Sequence, residues 1–352
     1  MPAQPPGNAL AERTLALVDI PSESRGEAAV HDYLADCVPL ETAFSDGETL
    51  IYTKRAGKPL VLLAGHTDTV PAQGNLPGRI EDGWLVGLGA SDMKGGLAVM
   101  IELAHWVART ELAYDLALLF FPREELGPAE NPLPAVFEQT GLVDEAQLVV
   151  CLEPTDNTLQ LGCLGNLNAR VVFDGRSAHS ARPWLGVNSI ALALEGLAGV
   201  LHGEPRDVDV EGLVFREVAS VTQIQGGIAS NVIPARTEAI VNFRYAPDRT
   251  PEEAERRIAE LVGREVEVLA NSPAAHVALH SPVVDALRRA GGFEVEPKQA
   301  WTNVADFAAR GLDAVNLGPG ATRYAHAVDE RIEIAELVRT YESLQSFLVG
   351  SV

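Results

Sequence analysis

Three short apolar runs along the chain each end in polar or charged residues. The run "VLLAG" is followed by His66 and Asp68, "LALLFFP" by Glu124 and Glu125, and "AQLVVCL" by Glu153. Short, continuous apolar runs of this kind are typical of buried parallel strands. A helical pattern, "KGGLAVMIELAHWVA", lies between the first two. Strands that alternate with helices predict an α/β sheet, in which ligands bind at the carboxyl ends of the strands. The residues that follow the runs are therefore candidates for a site.

The pattern changes near residue 166. From there "NLNARVVFDG", "REVASVTQIQGG" and "EAIVNFRYAP" alternate more strongly between apolar and polar residues, with helical patterns between them. Such alternation predicts strands with one buried and one solvated face. The last block returns to an apolar strand and a helical pattern, "EIAELVRTYESLQSFL". We therefore predict a first domain of residues 1–165 and 280–352, with a smaller α+β domain of residues 166–279 inserted in it.

Composition limits the classes of partner and the compartment. The 352 residues include 49 Asp and Glu against 27 Lys and Arg, a formal net charge of −22. This charge opposes binding to a nucleic-acid backbone or an anionic membrane. The cysteines, Cys37, Cys151 and Cys163, have no metal-binding spacing, and neither a signal peptide nor an apolar stretch of membrane-spanning length is recognised. We therefore predict a cytoplasmic protein that binds neither nucleic acid nor membrane.

Each candidate residue also has an ordinary structural explanation when it is taken alone. His66 could be a structural histidine at a strand end, and the adjacent Glu124 and Glu125 could form a solvated turn. Asp92, directly before "MKGGLAVMIELA", could cap the helix that follows. Taken together, a histidine and several carboxylates at one sheet edge form a cluster whose repulsion cations would relieve. Asp68 can also lie beside the His66 ring, because residues two apart in an extended chain face the same side.

Two of the eight histidines differ from the others in their surroundings. His179 in "GRSAHSARPW" and His326 in "GPGATRYAHAVDE" lie in loops of small residues, where helical packing does not explain them. Both are therefore candidates for the same chemistry.

The motifs "GHTDTVP", "ASDMKGG", "LEPT", "SNVIPARTEAIVNFRYAPD" and "AHAVDE" resemble, in order and spacing, the M20 metallopeptidase family of di-zinc amidohydrolases. The resemblance covers nearly the whole chain. It implies a zinc-exopeptidase-like, three-layer α/β catalytic domain with an inserted ferredoxin-like domain that serves as lid and dimer interface. It also implies a homodimer that acts on a small N-acyl amino acid with two Zn²⁺ ions per subunit, for which Co²⁺ can substitute.

The resemblance assigns the metal ligands. Asp92 would bridge the two ions, with His66 and Glu153 completing one site and Glu125 and His326 the other. A carboxylate has two oxygens and can hold two cations about 3.5 to 4 Å apart, whereas a neutral histidine cannot. Family members often have a cis peptide after this aspartate, so one is predicted between Asp92 and Met93.

The resemblance also assigns catalytic and substrate-binding roles. Glu124 would be the general base, Asp68 would orient His66, and His179 would stabilise the oxyanion, in its own subunit's site or in the partner's. The implied substrate contacts are Arg244, Asn231, Thr302, Gly318 and Gly320.

The segments "CLEPTDN", "SARPWLGVN" and "WTNVADFAARGLDAVNLGPG" are most similar to family members that release succinate from N-succinyl-diaminopimelate. Deacetylation of acetylornithine, another deacylase or carboxypeptidase activity, and a metal-binding protein without catalysis are the alternatives. Two departures concern specificity. Cys163 stands where many of the proteobacterial members with that activity have an arginine, and the loop "GPGATRYAH" differs from the usual form.

Overall fold

The computed structural model describes residues 6–350. The helices of this part are α1 (Pro6–Val18), α2 (Ala28–Cys37), α3 (Gly95–Val107), α4 (Leu133–Gln139), α5 (Ser189–Gly196), α6 (Ala198–Leu201), α7 (Pro251–Val262), α8 (Pro282–Gly291), α9 (Val304–Ala308) and α10 (Ile334–Leu348). The strands are β1 (Glu41–Ser45), β2 (Leu50–Lys54), β3 (Leu60–His66), β4 (Arg79–Glu81), β5 (Trp84–Val86), β6 (Asp115–Phe121), β7 (Ala146–Cys151), β8 (Leu159–Leu161), β9 (Gly165–Asp174), β10 (Ala178–His179), β11 (Arg206–Val210), β12 (Leu213–Gly226), β13 (Val232–Ile233), β14 (Arg236–Tyr245), β15 (Glu267–Ser272), β16 (Val295–Pro297), β17 (Ala314–Asn316) and β18 (Arg331–Glu333).

The chain forms two compact units. The second unit consists of Gly162–Val277 and Pro297–Ala305, and the first contains the remaining described residues. The sequence prediction had placed Pro297–Ala305 in the first domain. In the structure this segment is bound to the second unit by hydrogen bonds, from Leu164 N to Ala300 O at 3.1 Å and from Arg216 N to Gln299 Oε1 at 3.0 Å.

An eight-stranded sheet forms the centre of the first unit, in the order β1-β2-β6-β3-β7-β17-β8-β16. The middle strands β6, β3, β7 and β17 run parallel, and every residue of β3 and β6 is buried. These are the strands that the apolar runs predicted, and the α/β class is confirmed. In the register, His66 pairs with Phe121, and Ala64 pairs with Cys151. The carboxyl ends of three neighbouring strands therefore lie at one edge of the sheet.

Helix α3 packs closely against this edge because glycines remove the side chains between them. A Cβ atom on Gly96 would lie 2.5 Å from the carbonyl oxygen of Leu152, and one on Gly65 would lie 2.7 Å from Cε of Met93. The turn that precedes α3 is thereby held next to the ends of β3 and β7. Helices α1 and α10 pack with each other and with α3, and α8 packs against α10, in the same unit. A separate small sheet has the order β18-β5-β4.

The second unit contains a five-stranded antiparallel sheet in the order β11-β12-β14-β9-β15. Strands β9 and β14 alternate between buried and more exposed residues, as predicted. Helices α5, α6 and α7 cover the buried face. The helical segment after Asn188 is divided at Leu197 into α5 and α6, where Gly196 and Gly199 on either side lower the helix propensity. Within residues 6–350, none of the helices has the length and apolarity needed to cross a membrane.

Candidate metal centre

Six side chains of the first unit converge at the carboxyl edge of its parallel strands. Four of them come from strand ends, one from the turn before α3 and one from the loop before β18. Their ligand atoms form three overlapping groups, in each of which all atoms lie within 4.8 Å of one another: His66 with Glu124 and Glu125, His66 with Asp92 and Glu153, and Asp92 with Glu125 and His326.

Asp92 is shared between two of these groups. Its Oδ1 lies 3.0 Å from Nε2 of His66, and its Oδ2 lies 3.5 Å from Nε2 of His326. Asp92 has non-helical backbone angles, and the N-cap position of α3 is occupied by Lys94, so Asp92 does not cap that helix. The Asp92–Met93 peptide is cis, as predicted. One carboxylate therefore faces two imidazoles, an arrangement suited to binding two cations.

The two histidines are held in a strongly acidic environment. Hydrogen bonds to Asp92 and Glu125 raise the pKa of His326 to about 10. Burial lowers the pKa of His66, but its interactions with Asp68 and Asp92 outweigh burial and raise this pKa well above the usual value. Burial opposes ionisation of Asp92, yet hydrogen bonds from both histidines keep its pKa below the ordinary range. In the absence of metal, protons therefore occupy places where a cation would bind.

Glu124 differs from Asp92, because its pKa is raised and its carboxyl group is therefore more readily protonated. Desolvation raises its pKa well above the ordinary value, and the neighbouring carboxylates of Glu153 and Glu125 act in the same direction, against the effect of His66. Glu124 belongs to one of the three groups, in which it is near both His66 and Glu125. A carboxyl group with a raised pKa beside candidate ligands is suited to accept a proton and to return it.

Asp68 connects the two strand ends. His66 Nδ1 lies 3.1 Å from the main-chain oxygen of Asp68 and 3.5 Å from its Oδ1, so the carbonyl is the nearer acceptor. The carboxylate accepts hydrogen bonds from the backbone N–H groups of Glu124 at 3.0 Å and Glu125 at 3.2 Å, and from the Ser24 hydroxyl at 2.7 Å. Asp68 therefore orients His66 mainly through its backbone and holds the turn of the two glutamates through its side chain.

Glu330 was not among the candidates from the sequence. Its carboxylate accepts backbone hydrogen bonds from Gly89 at 2.8 Å, Ser91 at 3.0 Å and Asp92 at 3.0 Å. Burial raises the pKa of this carboxyl group to about 7, although the backbone hydrogen bonds oppose the shift. The only sequence signal was an acidic residue four positions after His326, which is common on protein surfaces.

The donor set fits zinc. Structural and catalytic zinc ions are bound by imidazole nitrogen and carboxylate oxygen, both of which are present here in each of the two groups that share Asp92. The carboxylates of Asp92, Glu125 and Glu153 lie close together, and cations would neutralise their mutual repulsion.

Comparison with known proteins agrees with this geometry. The model of peptidase family M20/M25/M40 matches residues 62–349. The chain belongs to this family. As a family member it is a metal-dependent amidohydrolase.

Two relatives of this M20 chain are similar to it over almost their whole length. A protein of Mycobacterium tuberculosis, provisionally named succinyl-diaminopimelate desuccinylase, is 38% identical over 347 residues, which cover 96% of this chain and 98% of the relative. The succinyl-diaminopimelate desuccinylase of Corynebacterium glutamicum is 34% identical, with 95% of each chain covered. Among solved structures, an aminopeptidase of Bacillus cereus has a TM-score of 0.80 and 21% identity, covering 98% of both chains, and shows that the fold is shared.

Four predicted site residues of the M20 chain lie in its second unit: His179, Asn231, Arg244 and Thr302. His179 and Asn231 are neighbours there, because β10 pairs with β13 and Ser180 N donates to Asn231 O at 2.9 Å.

Arg244 and Thr302 occupy more enclosed positions in that unit. The Nε of Arg244 donates to Asn242 Oδ1 at 3.1 Å, and burial lowers the pKa of the guanidinium group. Thr302 is buried, and its carbonyl oxygen lies 3.9 Å from Sγ of Cys163. The Cys163 thiol is therefore next to a predicted substrate contact.

Gly318 and Gly320 serve close packing in the first unit. A Cβ on Gly318 would lie 2.5 Å from the carbonyl oxygens of Leu152 and Glu153. Gly320 has a φ of +87°, and a Cβ there would lie 2.5 Å from the Ser91 hydroxyl oxygen. Both glycines let the loop before His326 approach the segments that carry Glu153 and Asp92. Substrate contact at these glycines stays a prediction.

Proposed function

We propose that this M20 protein is a succinyl-diaminopimelate desuccinylase, which hydrolyses N-succinyl-L,L-2,6-diaminopimelate to succinate and L,L-diaminopimelate. The observation that carries the choice of substrate is its 38% and 34% identity, over nearly full length, to relatives of that name. The metal-dependent hydrolysis of an amide bond is the reaction class of the family, and the converging ligands support it.

The proposed cofactor is a pair of zinc ions, for which Co²⁺ can substitute. One ion would be held by His66 and Glu153, and the other by Glu125 and His326. Asp92 would be a ligand of both ions. When bound, such ions supply Lewis-acid polarisation of the substrate carbonyl and acidify the attacking water.

Glu124 would perform the proton transfers. Its carboxylate takes a proton from the attacking water and then delivers that proton to the nitrogen of the leaving amine as the amide bond breaks. The base must be ionised beforehand, and bound cations would offset the carboxylate repulsion that raises its pKa. Asp68 fixes the position of this base by accepting the Glu124 backbone N–H at 3.0 Å.

The second unit would supply the groups that bind the substrate. Arg244 offers a planar, bidentate guanidinium group, which suits a substrate carboxylate. Asn231 and Thr302 would add hydrogen bonds, and the His179 imidazole would stabilise negative charge on the carbonyl oxygen. These assignments depend on the resemblance of the motifs that contain them.

The substrate is tested by assaying the zinc-loaded protein against N-succinyl-diaminopimelate and N-acetylornithine side by side. We expect kcat/KM to favour the succinyl substrate by at least a hundredfold, which corresponds to about 2.7 kcal/mol of transition-state binding. A preference for acetylornithine would contradict the proposed substrate but retain the reaction class. Absence of hydrolysis with either compound, and with a panel of N-acyl amino acids and dipeptides, would contradict catalysis itself.

The proposed assembly is a homodimer formed through the second unit, and the proposed location is the cytoplasm. Several large apolar side chains of that unit are exposed, among them Trp184 at 73%, Ile224 at 51% and Ile228 at 85%. Strand β12 pairs with β14 from Val218 onwards, and its other edge has no partner there among the described strands. Exposed apolar area and an open strand edge favour pairing with a second copy.

The assembly is tested by light scattering during size-exclusion chromatography. We expect the wild type to elute as a dimer and Ile224→Lys as a monomer, because a lysine on an edge strand opposes pairing. Ile80→Lys is the matched control, since Ile80 is similarly exposed, at 44%, but lies in the first unit. A monomeric wild type, or equal dissociation by both variants, would contradict this interface.

A further inference from the structure

Glu330 has a buried carboxylate that is enclosed by the backbone of the turn from Gly89 to Asp92. Only 1% of the residue is exposed. Its Oε1 accepts the N–H groups of Ser91 and Asp92, both at 3.0 Å, and its Oε2 accepts that of Gly89 at 2.8 Å. These three bonds use both carboxylate oxygens, and they fix the backbone on which the Asp92 carboxylate is mounted.

The same residue belongs to the segment that carries His326. Glu330 lies four positions after His326, and its backbone N–H donates to Ala327 O at 3.1 Å. Its main-chain oxygen accepts the N–H of Gly87 at 2.9 Å. Glu330 therefore binds, through side chain and backbone, to the segment before Asp92 from within the loop of His326. These two ligand segments are far apart in the sequence.

A hydrogen bond of Ser91 also connects the segment before Asp92 to the loop of His326, and a hydrogen bond of Thr322 connects that loop to the residue after Glu153. Neither bond involves the Asp92 backbone. The Ser91 hydroxyl donates to Ala321 O at 3.1 Å, and the Thr322 hydroxyl donates to Pro154 O at 2.9 Å. Within residues 6–350, the Asp92 N–H donates its hydrogen bond to the Glu330 side chain. A displacement of Glu330 would thus move the proposed bridging ligand and the His326 loop relative to each other.

We propose that Glu330 is a positioning residue of the metal centre, which sets the distance between Asp92 and His326 through its three backbone hydrogen bonds. This inference rests on the proposed function, because it assigns Glu330 a role toward ions that Asp92 would bridge. The proposed ion at Asp92, Glu125 and His326 would have ligands from both positioned segments. Of the two proposed ions, its affinity should therefore respond more strongly to a change at Glu330.

Glu330→Gln tests this role with a nearly isosteric change. The amide retains one acceptor oxygen but places an NH₂ group against at least one backbone N–H, so a buried hydrogen bond is lost. Removing an outer partner of a metal ligand typically lowers metal affinity about 10- to 100-fold. We expect the dissociation constant of the zinc ion proposed at Asp92, Glu125 and His326 to rise by about this factor, in competition titrations with a chromophoric chelator. The absorption spectrum of the Co²⁺-loaded protein should change as well.

Asp115→Asn is the matched control. Asp115 is also 1% exposed and accepts backbone N–H groups, from Ala56 at 2.7 Å and Gly57 at 3.1 Å. It is the first residue of β6, at the opposite end of this strand from Glu124. We expect this variant to lose thermal stability while its zinc affinity and Co²⁺ spectrum remain those of the wild type.

The outcomes separate this inference from the proposed function. Unchanged zinc affinity and Co²⁺ spectrum in folded Glu330→Gln, or an equal loss of affinity in Asp115→Asn, overturns the positioning role. If Glu330→Gln does not fold, Glu330→Asp, which retains the charge but shortens the reach, is judged by the same two measurements. If the wild type binds a single ion, the two-zinc proposal fails, and the affinity for that ion then decides the role of Glu330.

Discussion

The carboxylate of Asp92 and the imidazole of His66 lie 3.0 Å apart, between Oδ1 and Nε2. The other carboxylate oxygen of Asp92 is directed to His326, with 3.5 Å between Oδ2 and Nε2. The two imidazoles are thereby assigned to different oxygens of one side chain. This division suits the proposed pair of adjacent cation sites that share Asp92.

Replacement of Asp92 by alanine should weaken both zinc ions together, because each ion loses one oxygen ligand. We expect isothermal titration to show the loss of both high-affinity sites. Glu153→Ala serves as the comparison, since Glu153 belongs to only one of the two groups that contain Asp92. Loss of a single ion in Asp92→Ala would contradict the bridge.

Glu124→Ala should retain zinc and lose hydrolysis, because Glu124 is the proposed base and is not a proposed ligand. Proton transfer by a positioned side chain contributes about 10²- to 10⁴-fold, so kcat should fall by at least this range. Steady-state kinetics and metal analysis of the same preparation provide the measurement. Turnover equal to the wild type would refute the mechanism, whereas loss of zinc would make Glu124 a ligand.

Zinc binding to the metal-free protein should release protons. Hydrogen bonds to Asp92 and Glu125 raise the pKa of His326 to about 10, and the pKa of His66 is also well above its usual value. Both imidazoles are therefore protonated near neutral pH, and zinc requires their neutral form. Apparent zinc affinity should rise with pH until His326 loses its proton.

The number of released protons is obtained from calorimetric titrations in buffers with different ionisation enthalpies. His326→Gln, which lacks this titrating group, should release fewer protons than the wild type. Heats that are independent of the buffer in the wild type would be inconsistent with these pKa directions.

Gly96→Ala should destabilise the first unit, because the new methyl group would lie 2.5 Å from the carbonyl oxygen of Leu152. Overpacking of this kind costs about 1 to 3 kcal/mol in the free energy of unfolding. Gly127→Ala is the control, since no atom lies within 4 Å of its added Cβ. Urea unfolding of both variants measures the difference. Equal midpoints would show that α3 can move away from the strand end without cost.

Much of the candidate site could be predicted from the sequence. His66, Glu124 and Glu153 each follow an apolar run, and parallel strands bring their carboxyl ends to one edge of a sheet. The strand order could not be read from these runs, but any order that kept the strands adjacent would bring these residues together. Asp92 and His326 were candidates from their surroundings, but their roles as ligands required the family resemblance, because a helix start and a loop have no fixed position relative to a strand end.

The structure also altered particular expectations. The Asp68 carboxylate accepts hydrogen bonds from the backbone N–H groups of Glu124 and Glu125. These bonds depend on the conformation of the turn after β6, which no local sequence pattern predicts. Gly318 and Gly320 have a packing role against Leu152, Glu153 and Ser91.

By itself, the sequence determined the α/β class, the alternating strands of the second unit and the residue types available for metal chemistry. These properties follow from hydrophobic periodicity and from the position of polar residues along the chain. The tertiary structure decided which oxygen of Asp92 faces which histidine and that Glu330 holds the Asp92 turn. Glu330 and Asp92 are 238 residues apart. Such contacts are set by the packing of whole elements, and no local pattern encodes them.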